Sequence, residues 1–99
     1  MIRYKVVTEK MESLGLRKNL SIISYRIGEW FVDPIMHADN RDDGGIWCCE
    51  KLSCARTLKK YYEKRYGKTR IFECEIGIIL FQNTYRTKTD RIKLIQEIS

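Results

Sequence analysis

The chain of 99 residues contains one proline, one histidine and few side-chain amides. With so little proline and 43% hydrophobic residues, it is not a disordered segment. No apolar run approaches roughly 18 residues, so no membrane-spanning helix is expected. No basic-then-apolar leader opens the sequence, which places the expected location in the cytoplasm. A chain of this length buries one modest core, so residues 1–99 read as a single domain. No C-x-x-C pair occurs among Cys48, Cys49, Cys54 and Cys74, and His37 stands alone. Adjacent strand residues face opposite sides, so Cys48 and Cys49 do not converge on one ion. No metal and no cofactor is expected, and the thiols read as small core residues of a reducing compartment. Asp42-Asp43-Gly44-Gly45 lacks the lysine and the spacing of a phosphate loop. Asp33, Asp39, Asp42 and Asp43 lack the ligand spacing of a calcium loop and read as a solvated turn. The charged, amide-poor composition resembles that of heat-adapted proteins.

One stretch also lacks anions. Between Lys51 and Arg70 there are eight cations and only Glu63 against them, a net of +7 in a chain whose total is +6. Ser53, with a run of helix formers behind it, reads as the N-cap of a helix over about 53–66. Gly67 follows where a C-terminal positive-φ residue is wanted. Ala55, Leu58 and Tyr62 form its apolar stripe. Lys60, Lys64 and Lys68, spaced by four, are expected along one face. Arg56, Lys59, Lys60, Lys64, Arg65, Lys68 and Arg70 are therefore the candidate anion-binding residues. The competing reading is a solvated face whose last cations complement the helix dipole. Trp30, Trp47 and Tyr61 are candidate stacking or partner-contact residues if their rings are exposed.

Around this helix the periodicity alternates. Ile2–Val7 reads as a strand, Thr8–Asn19 as a polar loop, and Leu20–Ile27 as a second strand that bends at Gly28 and continues through Val32. Asp33-Pro34 ends it, and residues 35–45 form the longest polar loop. Ile46–Cys49 is a short apolar strand. Arg70–Ile76 sets Phe72, Cys74 and Ile76 on one face and Glu73 and Glu75 on a wet one. Ile78–Phe81 is a fourth apolar run, Gln82–Thr89 reads as polar, and Arg91–Ile98 closes the chain with Ile92, Leu94 and Ile98 on one face. The expectation is an α+β domain: an antiparallel or mixed sheet of about five strands with one main basic helix, its core a single sheet against the Ala55–Leu58–Tyr62 stripe.

Several segments carry a resemblance: Tyr4-Lys5-Val6-Val7, Tyr25-Arg26-Ile27-Gly28-Glu29-Trp30, Gly45-Ile46-Trp47-Cys48-Cys49, Tyr61-Tyr62, Ile71–Ile76 and Arg91–Ile95. Their order resembles small uncharacterised proteins of phages, archaeal viruses and mobile elements; no function is carried over from that resemblance, and a viral chain would be expected in the host cell interior. The strand–helix–strand order is also similar to the core of ADP-ribosyltransferases. There Arg26, Trp47 or Tyr62, and Glu73 or Glu97 stand in for that family's working residues.

A Cys49–His37–Asp39 triad can be drawn on paper, but one histidine in a loop meets such partners by chance. Two classes of function follow. The first is a non-enzymatic binding module whose basic helix meets nucleic acid or an acidic protein surface, with a homodimer left open. The second is a degenerate ADP-ribosyltransferase-like enzyme or nucleotide-binding domain. A cleft joining Arg26, Tyr62 and a glutamate distinguishes the second from the first.

Overall fold

A computed structural model describes residues 1–15 and 22–98. In chain order the elements are β1 (Ile2–Thr8), β2 (Trp30–Val32), β3 (Ile46–Cys48), α1 (Leu52–Arg65), β4 (Thr69–Ile76), β5 (Ile79–Gln82), β6 (Thr87–Thr89) and β7 (Arg91–Ile98). The fold is α+β, as expected. Among the described residues there are seven strands rather than about five, and two antiparallel sheets rather than one. The larger sheet has the order β1-β4-β7-β2 and the smaller β3-β6-β5.

The larger sheet is covered on both faces. Val7, Phe72, Cys74, Ile76, Ile92 and Leu94 meet Ile46 and Cys48 of the smaller sheet, together with Tyr25, in the main core. On the opposite face Val6, Ile71, Cys49 and Ala55 form a second cluster under α1. The expected core of one sheet against one helix is thus the lesser of two layers. Ala55 is fully buried, but Leu58 and Tyr62 are only half-buried. Phe72, Cys74 and Ile76 do share an inward face, and Glu73 and Glu75 lie on the other.

Three local departures have physical causes. Within β7, Glu73 pairs with Gln96 but Cys74 pairs with Leu94, so Ile95 is an extra residue. This bulge turns the strand over: Leu94 enters the inter-sheet core while Ile98 packs under the helix. Helix α1 starts at Leu52 with Lys51 as its N-cap and no side-chain capping bond, so Ser53 is not the cap. Ser53 lies in the first turn, where its carbonyl accepts the Thr57 hydroxyl at 3.1 Å. The helix ends at Arg65, and Gly67 follows with φ +142° as the sequence indicates. Lys68 therefore lies beyond the helix and off the face shared by Lys60 and Lys64. In the segment read as a second strand, Leu20 and Ser21 fall outside the described residues. Ile22–Ile27 forms no strand, and only Ser24 bridges to Glu12. Of Ile23, Tyr25 and Ile27, expected on one side, Ile23 and Tyr25 pack into the main core while Ile27 is exposed. Gly28, at φ +83°, makes the expected bend and donates its N–H to Leu94 O.

Residues 82–89, read as polar, contain the central strand of the smaller sheet. Thr87, Lys88 and Thr89 are all at 0% exposure. Each threonine finds partners: Thr87 Oγ1 accepts from Arg3 Nε at 3.3 Å, and Thr89 Oγ1 donates to Ile78 O at 2.7 Å. Lys88 points the other way, into the loop of residues 35–45. Its Nζ donates to the carbonyls of Arg41 at 3.0 Å and Asp39 at 3.3 Å, and lies 5.5 Å from the Trp47 ring. Burial pushes the Lys88 pKa below the ordinary lysine range, while the nearby carboxylates of Asp39 and Asp43 act against that shift. The acidic loop is therefore more than a solvated turn, since it houses an internal ammonium. Gly44 closes it at φ +72°, with His37 so near that a Cβ there would collide with the imidazole.

The two-layer core makes a ranked prediction. Phe72→Ala should cost about 3–5 kcal/mol of unfolding free energy, and Leu58→Ala clearly less, because Leu58 is only half-buried. Equal shifts in denaturant midpoint would show that the helix layer carries as much of the core as the inter-sheet layer.

Candidate functional site

The candidate anion-binding residues divide by what they touch. Lys59 is committed to the fold. Its Nζ bonds Glu63 Oε2 at 2.9 Å and Thr69 O at 2.6 Å, and Glu63 also accepts the Thr69 N–H at 2.6 Å. That knot ties the last turns of α1 to the first residue of β4. Arg70 lies on β4 and makes a two-pronged pair with Glu97, at 3.1 and 2.7 Å. Arg65 lies 4.3 Å over the Tyr61 ring, on the flank of the helix rather than its crest. Lys60 and Lys64, one turn apart, are exposed, as is Arg56 beside them. Among the described residues Lys60 and Lys64 have no carboxylate partner, because the helix's single acid is turned to Lys59. The seven cations thus form no continuous patch: Lys60 and Lys64 stay together, Lys68 lies past the helix, and Lys59 and Arg70 are engaged.

The three aromatic candidates also separate. Trp30 is 41% exposed on the edge strand β2, with Arg91 at 4.8 Å and Lys93 at 5.1 Å from its ring. This corner of the larger sheet is not covered by α1. Trp47 is half-buried on the outer face of the smaller sheet. Arg86 lies 3.8 Å over it, Phe81 meets it edge-on at 6.0 Å, and its indole N–H donates to Asp42 O at 3.2 Å. Tyr61 is 48% exposed.

Trp47 and Tyr61 line one cavity, of about 580 Å³. It opens where the β1 and β3 edges, the C-terminal half of α1 and the β5–β6 turn meet. Tyr25, Tyr66 and Tyr85 add further rings, and Lys5, Arg86 and Asp42 supply charge. The β5–β6 turn is held by Asn83, whose Oδ1 accepts the N–H groups of Tyr85 and Arg86, both at 2.9 Å. Lys5 is half-buried, and its ammonium donates to Trp47 O. Sequence reading missed Lys5, Tyr25, Tyr85 and Arg86, because strand alternation and turn residues do not reveal which rings a tertiary fold brings together.

The enzyme-like constellations do not assemble. The cavity's described lining includes no Arg26, no Tyr62 and no glutamate. Glu97 is held by Arg70, and Glu73 lies on the helix-side face of β4. Cys49 is buried under α1, where burial pushes its thiol up to about 11, while His37 sits in the loop at 3.9 Å from Asp43. Cys48 and Cys74 meet in the inter-sheet core, where their mutual hydrogen bond and burial hold Cys74 protonated. All four cysteines are free thiols. Among the described residues no three His, Cys, Asp or Glu side chains converge as metal ligands, and no helix is long and apolar enough to cross a membrane. Comparison with protein families, curated proteins and solved structures finds no match to this chain.

The Glu63 knot has a pH signature. The Lys59 ammonium, and after it the Thr69 N–H, hold the Glu63 carboxyl below the usual carboxylate range. Its stabilisation is therefore complete above an unfolded value of about 4.3 and is lost as pH falls through the lower folded value. Glu63→Gln should destabilise the fold at pH 7, and the difference from wild type should shrink as pH falls from the usual carboxylate range through the lower folded value. A difference that stays constant across that range would show that the charge on Glu63 is not what holds the knot.

Proposed function

We propose that this chain is a non-enzymatic binding module that docks on nucleic acid through the solvent face of α1, in the manner of a viral or mobile-element accessory protein. The observation that carries this reading is the exposed Lys60–Lys64 pair. These two like charges lie one turn apart with no carboxylate partner among the described residues, in a helix whose only acid is used elsewhere. Like charges at this spacing weaken a helix, so the pair works against the fold unless an anion meets it. Arg56 and Arg65 flank the pair, and the chain's net charge of +6 adds long-range attraction. Nucleic acid is favoured over an acidic protein by the exposed Tyr61 ring set beside Arg65 on the same helix. Single strands bind through stacked bases and neutralised phosphates in that combination.

The test is binding to generic duplex and single-stranded DNA and RNA at about 0.1 M salt, close to one Debye length of 10 Å. Wild type should bind in the micromolar range of non-specific contacts. Lys60→Ala/Lys64→Ala should bind more weakly, with the slope of log affinity against log salt reduced by about 2. An unchanged slope and affinity would refute the helix face as the docking surface. Loss of an acidic protein partner by the double variant, with nucleic acid ignored by wild type, would move the site to protein recognition.

A further inference from the structure

The aromatic cavity is bordered by two polar groups that the described residues satisfy only in part or not at all. Tyr25 is 6% exposed and lines the cavity, yet its hydroxyl is buried without a hydrogen-bond partner among the described residues. A buried hydroxyl left unbonded costs stability, and such groups in native structures mark a missing partner. Lys5 lines the same wall, its Nζ 5.7 Å from the centroid of the Tyr25 ring. An ammonium carries three donors. The Lys5 group gives one to Trp47 O, and no carboxylate of the described residues neutralises it. Half-buried and uncompensated, it raises the positive potential of the cavity. Across from it, Arg86 lies on Trp47 at the mouth, with Asp42 4.0 Å from its guanidinium.

The rest of the lining mixes rings and aliphatic side chains with Ser13, Asp42 and Asn83. Trp47, Tyr61 and Tyr85 line about 580 Å³, within the range of small-molecule sites and ample for a single base, sugar and phosphate. Rings that bind planar groups without reading their edges, together with an uncompensated cation and a hydroxyl, specify a planar aromatic ligand that carries an anion.

We propose that this cavity binds a nucleoside monophosphate unit, with the base stacked among Trp47, Tyr61 and Tyr85 and the phosphate met by the Lys5 ammonium and the Tyr25 hydroxyl. The site lies on the flank of α1 and the β1–β3 edge, away from the crest that carries Lys60 and Lys64, and does not depend on the docking role of that crest. The same unit can arrive as a free mononucleotide or as the 5′-phosphorylated end of a single strand.

The experiment is calorimetric titration of the full chain with AMP, UMP, adenosine and inorganic phosphate, repeated on Tyr25→Phe and Lys5→Met. Wild type should bind at least one of the two nucleotides tenfold or more tighter than either adenosine or phosphate. Tyr25→Phe keeps the ring contact with Phe31 and removes only the unbonded hydroxyl. It should melt no lower than wild type and bind nucleotide several-fold more weakly. Lys5→Met should lose at least tenfold. If Lys5→Met fails to fold, Tyr25→Phe alone decides. Lys60→Ala/Lys64→Ala should bind mononucleotide as wild type does, so failure at the crest and failure of the cavity are read separately. Nucleotide bound no tighter than inorganic phosphate, or an unchanged affinity in Tyr25→Phe, overturns the proposal. An oligonucleotide with a 5′-phosphate that binds tenfold tighter than both its 5′-hydroxyl counterpart and the mononucleotide identifies a strand end as the source. Equal affinity for mononucleotide and 5′-phosphorylated strand identifies the free nucleotide.

Discussion

The burial of the Lys88 ammonium is the constraint on which the smaller sheet depends. A charge removed from water must be hydrogen-bonded, because leaving it unmet costs several kcal/mol. Lys88 is central in its sheet, paired to Trp47 on one side and Phe81 on the other, so its side chain leaves the sheet straight into whatever lies above. What lies above is the loop of residues 35–45, whose carbonyls at Asp39 and Arg41 receive the ammonium. The carboxylates of Asp39 and Asp43 in that loop, with Asp33 before it, favour the charged form of Lys88. With the loop in place, Asp42 accepts the Trp47 indole N–H and fixes the ring that forms one wall of the cavity. One buried charge thus links the acidic loop, the small sheet and the candidate binding surface.

The other cations show how the same residue type serves opposite ends. Lys59, Arg70 and Lys88 each meet oxygen atoms supplied by the fold, and each joins segments distant in sequence. Arg86 and Arg65 lie on aromatic rings, where a weakly hydrated guanidinium packs as well as it charges. Among the described residues Lys60 and Lys64 have no such partner, and Lys5 has a backbone carbonyl and the Tyr25 ring. A net charge of +6 therefore says little about where an anion binds. What matters is which cations remain after the structure has used the others; among the described residues these include Lys60 and Lys64 on the crest of α1 and Lys5 on the wall of the cavity.

Much of the architecture was legible in local pattern. Alternation in Ile2–Val7 and Arg70–Ile76 placed two neighbouring strands of the main sheet, and the Ala55–Leu58–Tyr62 spacing with Gly67 placed the helix within a residue at each end. Those signals are local, so a sequence window contains them whole. Thr87-Lys88-Thr89 carried no such signal, because two hydroxyls and an ammonium look solvated until a sheet and a loop supply their partners. The bulge at Ile95 was equally hidden, since an extra residue is defined only against the strand it pairs with. At the candidate sites, Lys60, Lys64, Trp47 and Tyr61 were visible by charge, spacing or ring. Lys5, Tyr25 and Arg86 were not, as they come from a strand, an irregular segment and a turn.

By itself, then, the sequence determined what depends on neighbours along the chain: an α+β composition of short alternating strands and one basic helix with its boundaries. Tertiary structure decided what depends on neighbours across space. It split one expected sheet into two, moved the main core from beneath the helix to between the sheets, and drew Lys88 inside. It also sorted the basic helix into structural and exposed cations and gathered aromatic rings around an open cavity beside Lys5. The physical reason is range. Propensity and periodicity act over a turn or a few strand residues, whereas burial of charge and convergence of side chains are set only when segments distant in the chain pack together.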